Sequence, residues 1–237
     1  MEIKLDKKVS AKYLIEGFPG VGLVSTISTE YLINHLKFEK IGEIEIEETM
    51  PIAPIHNSEV LKPVSIYYNK SKGIALVHSV SNVTGLEWKI KTKLIELMKK
   101  LNCKQIISLE GVGNPAIDKQ KKPRTFIYSN KKTLIKNLEK DSNPLKEGII
   151  MGVTGALMLN NKNFEHVCMF VDSHMNLPDS KAAAELLLLL DKYLKLNLDI
   201  KPLIKQAEIF EKKLQTLLQK SQQAQKVTDE KKLRYFG

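Results

Sequence analysis

Hydrophobic and polar positions follow two periods along the chain, one near two residues and one near 3.6, and these alternate in blocks. Residues 3–16 read as the first strand, which ends in the apolar run Tyr13, Leu14, Ile15. A turn rich in glycine and proline follows (Gly17, Pro19, Gly20, Gly22), and Ser25–Leu36 has the spacing of a helix. Ile41–Glu48 alternates apolar and acidic residues and predicts a half-exposed strand. Val64–Tyr68 and Ile74–Val80 flank Asn69–Gly73, the pattern of a hairpin. Thr84, Gly85, Leu86 and Glu87 fit a capping box, opening a helix that reaches Lys100. Leu86, Ile90, Leu94, Leu97, Met98 and Leu101 share one face of it, and Trp88 falls off that stripe, which suits either a contact surface or ordinary packing. Gln105–Leu109 is a short unbroken apolar run, as expected of a strand covered on both faces, and leads into a second glycine turn, Glu110–Pro115. Further strands are predicted at Arg124–Ser129, Gly148–Gly152 and His166–Val171, with a short helix at Thr133–Leu138. Asp179 is placed to cap a helix over Lys181–Leu194, whose leucines predict burial on several sides.

This alternation predicts an α/β domain. The loops Gly17–Gly22, Gly111–Pro115 and Asp172–Pro178 each follow a strand. If those strands are parallel, the loops gather on one sheet edge, where open α/β sheets bind ligands. The residues of such a crevice are Glu16, Gly17, Gly20, Gly22, Glu110, Gly111, Gly113 and Asn114. The same glycines serve equally well for tight turning and close helix–strand approach without a ligand. Gly17 and Gly22 have the outer spacing of a P-loop, but Leu23 and Val24 stand where its Lys and Ser or Thr belong, so nucleotide hydrolysis is not expected there. Asp172, Ser173 and His174 are neighbours in sequence, whereas triad members usually converge from separate loops. The histidines show no metal-binding spacing, and no catalytic residue, cofactor or metal is expected. Glu16 and Glu110 each precede a glycine turn, and on neighbouring strands their carboxyls would meet and raise one pKa.

The chain divides into an α/β globular domain, 1–200, and a C-terminal segment, 201–237. In the latter Pro202 suits a first helical position, and Leu203, Ala207, Phe210, Leu214 and Leu217 form a short coiled-coil-like seam. From Gln219 the residues are polar and predict an extended stretch. The last five are Leu233, Arg234, Tyr235, Phe236 and Gly237, two aromatics at the end of a charged tail. Net charge is +10, but Arg124 and Arg234 are the only arginines among 37 basic residues. A lysine-dominated surface lacks the bidentate fork of nucleic-acid readers, so no nucleic-acid partner is expected. No run of about 18 apolar residues predicts a membrane span. Cys103 and Cys168 sit alone in apolar runs and read as buried free thiols of a reducing, cytoplasmic compartment.

Four segments then occur in a recognisable order: Ile15–Ser25 (IEGFPGVGLVS), Leu109–Pro115 (LEGVGNP), Gly152–Met158 (GVTGALM) and Leu177–Leu187 (LPDSKAAAELL). Together they resemble the archaeal proteasome assembly chaperone two family, over about residues 10–215. The resemblance implies a three-layer αβα sandwich similar to nucleoside phosphorylases, without catalytic activity, that forms homo-oligomers. It further implies an ATP-independent assembly chaperone or proteasome-binding factor whose C-terminal tail docks on the 20S α-ring, with the α subunits as partners. The family's docking motif, hydrophobic–Tyr–any residue, falls on Tyr235, Phe236 and Gly237, with Phe236 where the motif has Tyr. The alternative is an enzyme acting on a nucleoside-like or other small molecule in the crevice.

Overall fold

A computed structural model describes residues 1–49, 53, 55–56, 58–60, 62–114, 122–159, 163–175 and 177–205. The chain divides into one unit spanning Met1–Leu198 and another that begins at Asp199.

The first unit is built on a nine-stranded mixed sheet. Its strands in chain order are β1 (Glu2–Leu5), β2 (Tyr13–Gly17), β3 (Glu39–Glu45), β6 (Val64–Asn69), β7 (Ile74–Ser79), β8 (Gln105–Gly113), β9 (Thr125–Ser129), β10 (Asn143–Pro144) and β11 (Glu165–Ser173). A separate two-stranded ribbon joins β4 (Ile55–His56) to β5 (Glu59–Val60). The order across the large sheet is β1-β3-β6-β7-β2-β8-β11-β9-β10. The central strands β7, β2, β8 and β11 run parallel, with Glu16 opposite Ser108 and Cys168 opposite Ser108 on its other side. These are the most apolar strands in the chain, because both of their faces are covered.

Helices α1 (Val24–His35), α2 (Glu87–Lys100), α3 (Lys132–Leu138), α4 (Gly152–Met158) and α5 (Ser180–Leu194) flank the sheet. Side chains alternate across a strand, so Glu16 and Gly17 point to opposite faces. Gly17 lies against Thr29 of α1, and Glu16 meets Thr154 of α4. Thus α1 covers one face and α4 the other. With α1 packs α5, whose Ala182, Ala183 and Ala184 allow close approach and whose leucines fill the space between helix and sheet. With α4 packs α2, through the stripe Ile90, Leu94 and Leu97, each completely buried.

The elements differ from their sequence pattern in four places. Residues 3–16 form two strands, because the polar stretch Asp6–Ser10 breaks the run. β8 continues through Gly111 to Gly113, so the second glycine turn is mostly strand. Gly148–Gly152 is not a strand: it pairs with no strand among the described residues, Ile149 is 88% and Met151 75% exposed, and the positive φ of Gly152 (76°) turns the chain into α4. The capping box does not close on α2, whose N-cap is Leu86. The Thr84 hydroxyl donates to Asn82 at 2.6 Å, and Glu87 reaches back only to the Gly85 amide at 3.1 Å. In the second unit residues 201–205 are helical. The remaining seam residues, Ala207 to Leu217, and the tail lie outside the described residues.

Candidate functional site

The parallel strands β2, β8 and β11 end on the same edge, and their following loops interlock there. Gly22 has a positive φ (63°) that favours glycine, and a side chain there would strike the Ser173 hydroxyl. The Asp179 amide donates to the Gly22 carbonyl at 2.8 Å, and the Asn114 amide to the Ser173 carbonyl at 3.2 Å. Gly111 sits under the Val21 carbonyl, and Gly113 against Met175. The glycines therefore let three loops fill one another's space. Two pockets, one of about 380 Å³ between Arg124 and Lys192 and one of about 870 Å³ near Val9, lie away from Glu16 and Glu110.

Beneath the loops lies a polar cluster. Glu16 is 1% exposed. Glu110, two residues past Glu16's partner Ser108, points to the same face and is partly exposed. The Thr154 hydroxyl is 3.1 Å from Glu16 Oε1 and 3.0 Å from Glu110 Oε2. The carboxyl of Glu110 also lies where a side chain on Gly20 would go, so the turn backbone rests on it. Burial raises both carboxyls far above the usual range. Ser108 and Thr154 partly offset this for Glu16, and the neighbouring Glu16 adds to it for Glu110. The cluster continues inward: Ser108 Oγ is 2.8 Å from His166 Nε2, and Cys168 Sγ is 3.3 Å from the same nitrogen. Burial holds His166 neutral, with its pKa lowered to about 4, and pushes the Cys168 thiol up.

The three-residue run Asp172–His174, which spans the end of β11, is split between separate tasks. Asp172 pairs with Arg124 at 2.7 Å. Ser173 donates to Asp179 at 3.2 Å, and His174 Nδ1 lies 2.7 Å from the same oxygen. The Ser173 hydroxyl reaches the His174 carbonyl at 3.4 Å and Asp179, and the His174 ring reaches Asp179, so between these two residues the hydroxyl–imidazole hydrogen bond of a hydrolase is not formed. Among the described residues, no group of three or more His, Cys, Asp or Glu could hold a metal ion. No helix of the described chain is long and apolar enough to cross a membrane. Sequence reasoning passed over Thr154 and Asp179 as partners of these groups; the only signal for Thr154 was a hydroxyl in the otherwise apolar GVTGALM run. Along the same edge Leu23, Val80, Trp88 and Met175 are 40–62% exposed.

Tyr235, Phe236 and Gly237 lie outside the described residues.

The model of the PAC2 family matches residues 14–218. An uncharacterized protein of Methanocaldococcus jannaschii is 30% identical over 210 residues, 86% of this chain and 84% of that one. Among solved structures, Pyrococcus furiosus PbaA, an archaeal homolog of proteasome-assembly chaperone, superposes with a TM-score of 0.83 at 25% identity, covering 97% of each chain. Pyrococcus furiosus PbaB, an archaeal proteasome activator, shares the fold with a TM-score of 0.80 at 23% identity, over 91% of this chain and 98% of that one.

Proposed function

This chain belongs to the PAC2 family, and from that premise we propose that it is an ATP-independent, cytoplasmic proteasome assembly chaperone or proteasome-binding factor that docks on the 20S α-ring through Tyr235–Gly237. The observation that carries this reading is the end-to-end likeness to PbaA, a homolog of proteasome-assembly chaperone. The interlocked loops support it, because along the edge where an α/β enzyme would bind substrate the described loops fill one another's space.

The docking chemistry follows from residue type. A terminal carboxylate captured by a fixed cation, with an aromatic ring anchored in a groove, is a recurring mode of peptide recognition. Phe236 keeps the ring and lacks the hydroxyl of the tyrosine in the family's motif. One such tail binds weakly; several on one oligomer gain avidity through effective concentration. Self-association of the body is part of the proposal, and the exposed Leu23, Val80, Trp88 and Met175 supply apolar area for it.

The test is co-purification with proteasome α subunits, comparing the full chain with one lacking residues 235–237, while light scattering follows the oligomer. Loss of binding at unchanged mass supports tail docking. Equal binding by both chains removes the tail from the mechanism, and no binding by the full chain removes the proteasome.

A further inference from the structure

A threonine hydroxyl carries one proton and can donate it once. Thr154 Oγ1 nevertheless lies within hydrogen-bond distance of both Glu16 (3.1 Å) and Glu110 (3.0 Å). If Thr154 donates to one carboxylate, the second contact is a hydrogen bond only when the other carboxyl carries a proton and donates to Thr154. Two ionised carboxylates would leave one oxygen facing the threonine lone pairs in a buried site, which is repulsive. The geometry therefore favours at least one proton on the pair.

Among the described residues, the surroundings supply no cation to replace it. From β11 the facing titratable groups are His166, neutral by burial, and the Cys168 thiol. Asp172 is farther along the same strand face and is neutralised by Arg124. α4 contributes Thr154, the buried stripe of α2 is aliphatic, and the turn above contributes the backbone of Gly20. Glu110 keeps some solvent contact, so a proton leaving the pair has an exit through it. Glu110 is also the group on which the Gly20 turn sits.

We propose that Glu16, Glu110 and Thr154 form a proton-operated latch: one proton shared by the two carboxyls keeps Glu110 tucked under the Gly20 turn, and its release to solvent expels the Glu110 carboxylate and frees that turn. The latch governs the edge that exposes Leu23, which opens α1 and is held by the same turn. Opening it changes which apolar side chains this edge presents, whatever partner the protein binds.

The direct measurement is a pH titration of the full chain by carbon NMR with label at the glutamate carboxyls. The expected result is that two glutamates titrate well above the rest, and that Glu16→Gln and Glu110→Gln each remove one of them. If every glutamate titrates in the ordinary carboxylate range, near about 4.3, the latch is overturned. Amide exchange at Gly20–Leu23, corrected for its intrinsic pH dependence, reads the motion. Each proton released on opening speeds exchange by about tenfold per pH unit, from the ordinary carboxylate range up to the closed-state value. Above that value the rate levels off. In the Glu16→Gln, Glu110→Gln double variant the profile is flat. A flat profile in the unmodified chain overturns the latch, and it does so without requiring the variant to fold.

Discussion

The Nδ1 nitrogen of His174 lies 2.7 Å from one carboxylate oxygen of Asp179, a side chain whose other oxygen accepts the Ala182 amide at 2.9 Å and so caps α5. One buried aspartate thus joins the loop after β11 to the helix that follows it. The same Oδ2 also accepts the His174 amide at 3.1 Å and the Ser173 hydroxyl at 3.2 Å. Loss of an N-cap costs about 1 kcal/mol, and each buried donor left unpaired costs about 1–3 kcal/mol more. His174 is half-buried, so water can take its amide and ring; with the cap and one buried donor lost, Asp179→Ala is expected to destabilise the protein by about 2–4 kcal/mol. Asp179→Asn, which can keep the cap, is expected to lose less than half of that. Urea unfolding of the two variants checks this, and equal losses would contradict the cap.

Gly20→Ala isolates the contact with Glu110. The backbone at Gly20 is extended (φ −143°, ψ −157°), a conformation open to any residue, so strain is not the issue. The added methyl group meets the Glu110 carboxyl instead. Overpacking of this kind costs about 1–3 kcal/mol. The expected outcome is a destabilisation of that size, with most of it recovered when Glu110→Ala makes room. Additive losses in the double-mutant cycle would show that the two residues do not press on one another.

Much of this was legible beforehand because it depends on local pattern. The boundaries of α1, the β6–β7 hairpin and the Asp179 cap follow from spacing and residue type within a few positions of one another. Glu16 and Glu110 were visible as carboxylates before glycine turns, and the parallel pairing of β2 with β8 is what brings them together. Thr154 could not be foreseen in the same way. It lies 138 residues from Glu16, on a seven-residue helix whose own signal is only a mixed apolar and glycine run. The stretch 148–152 misled for a related reason: apolar residues suggested a strand, but among the described residues no strand pairs with it, and Ile149 and Met151 face solvent.

The two cysteines are expected to be inert in the folded protein. Both are buried and free; desolvation pushes Cys103 up to about 12 and Cys168 well above its ordinary value. Thiolate is the reactive form, so both thiols are starved of it and shielded as well. Reaction with a thiol reagent at neutral pH should proceed at the unfolding rate and rise steeply with denaturant. Rapid modification of either cysteine in native buffer would contradict this burial.

The pH dependence of stability separates the carboxyl pair from the histidines. His78 and His166 are depressed to about 4 by burial, so the folded state leaves them neutral while the unfolded chain protonates them below about 6.5. Their contribution is fully present above 6.5 and lost as pH falls toward 4. Glu16 and Glu110 are raised to about 7 and about 8, so the folded state keeps protons that the unfolded chain gives up above its ordinary value of 4.5. Their contribution is fully present below 4.5 and is lost as pH rises to about 8. Between 4.5 and 6.5 the two effects oppose each other, and the net slope should be shallow. From 6.5 to 8 only the carboxyls titrate, and one proton is worth about 1.4 kcal/mol per pH unit. Stability is therefore expected to fall by about 2 kcal/mol across that upper window. Glu16→Gln with Glu110→Gln should flatten the upper window and, with the opposing carboxyl effect gone, steepen the rise in stability from pH 4.5 to 6.5. Thermal melts at half-unit steps from pH 4 to 9 measure both limbs, and a melting temperature that rises between pH 6.5 and 8 would show that the pair is ionised in the native protein.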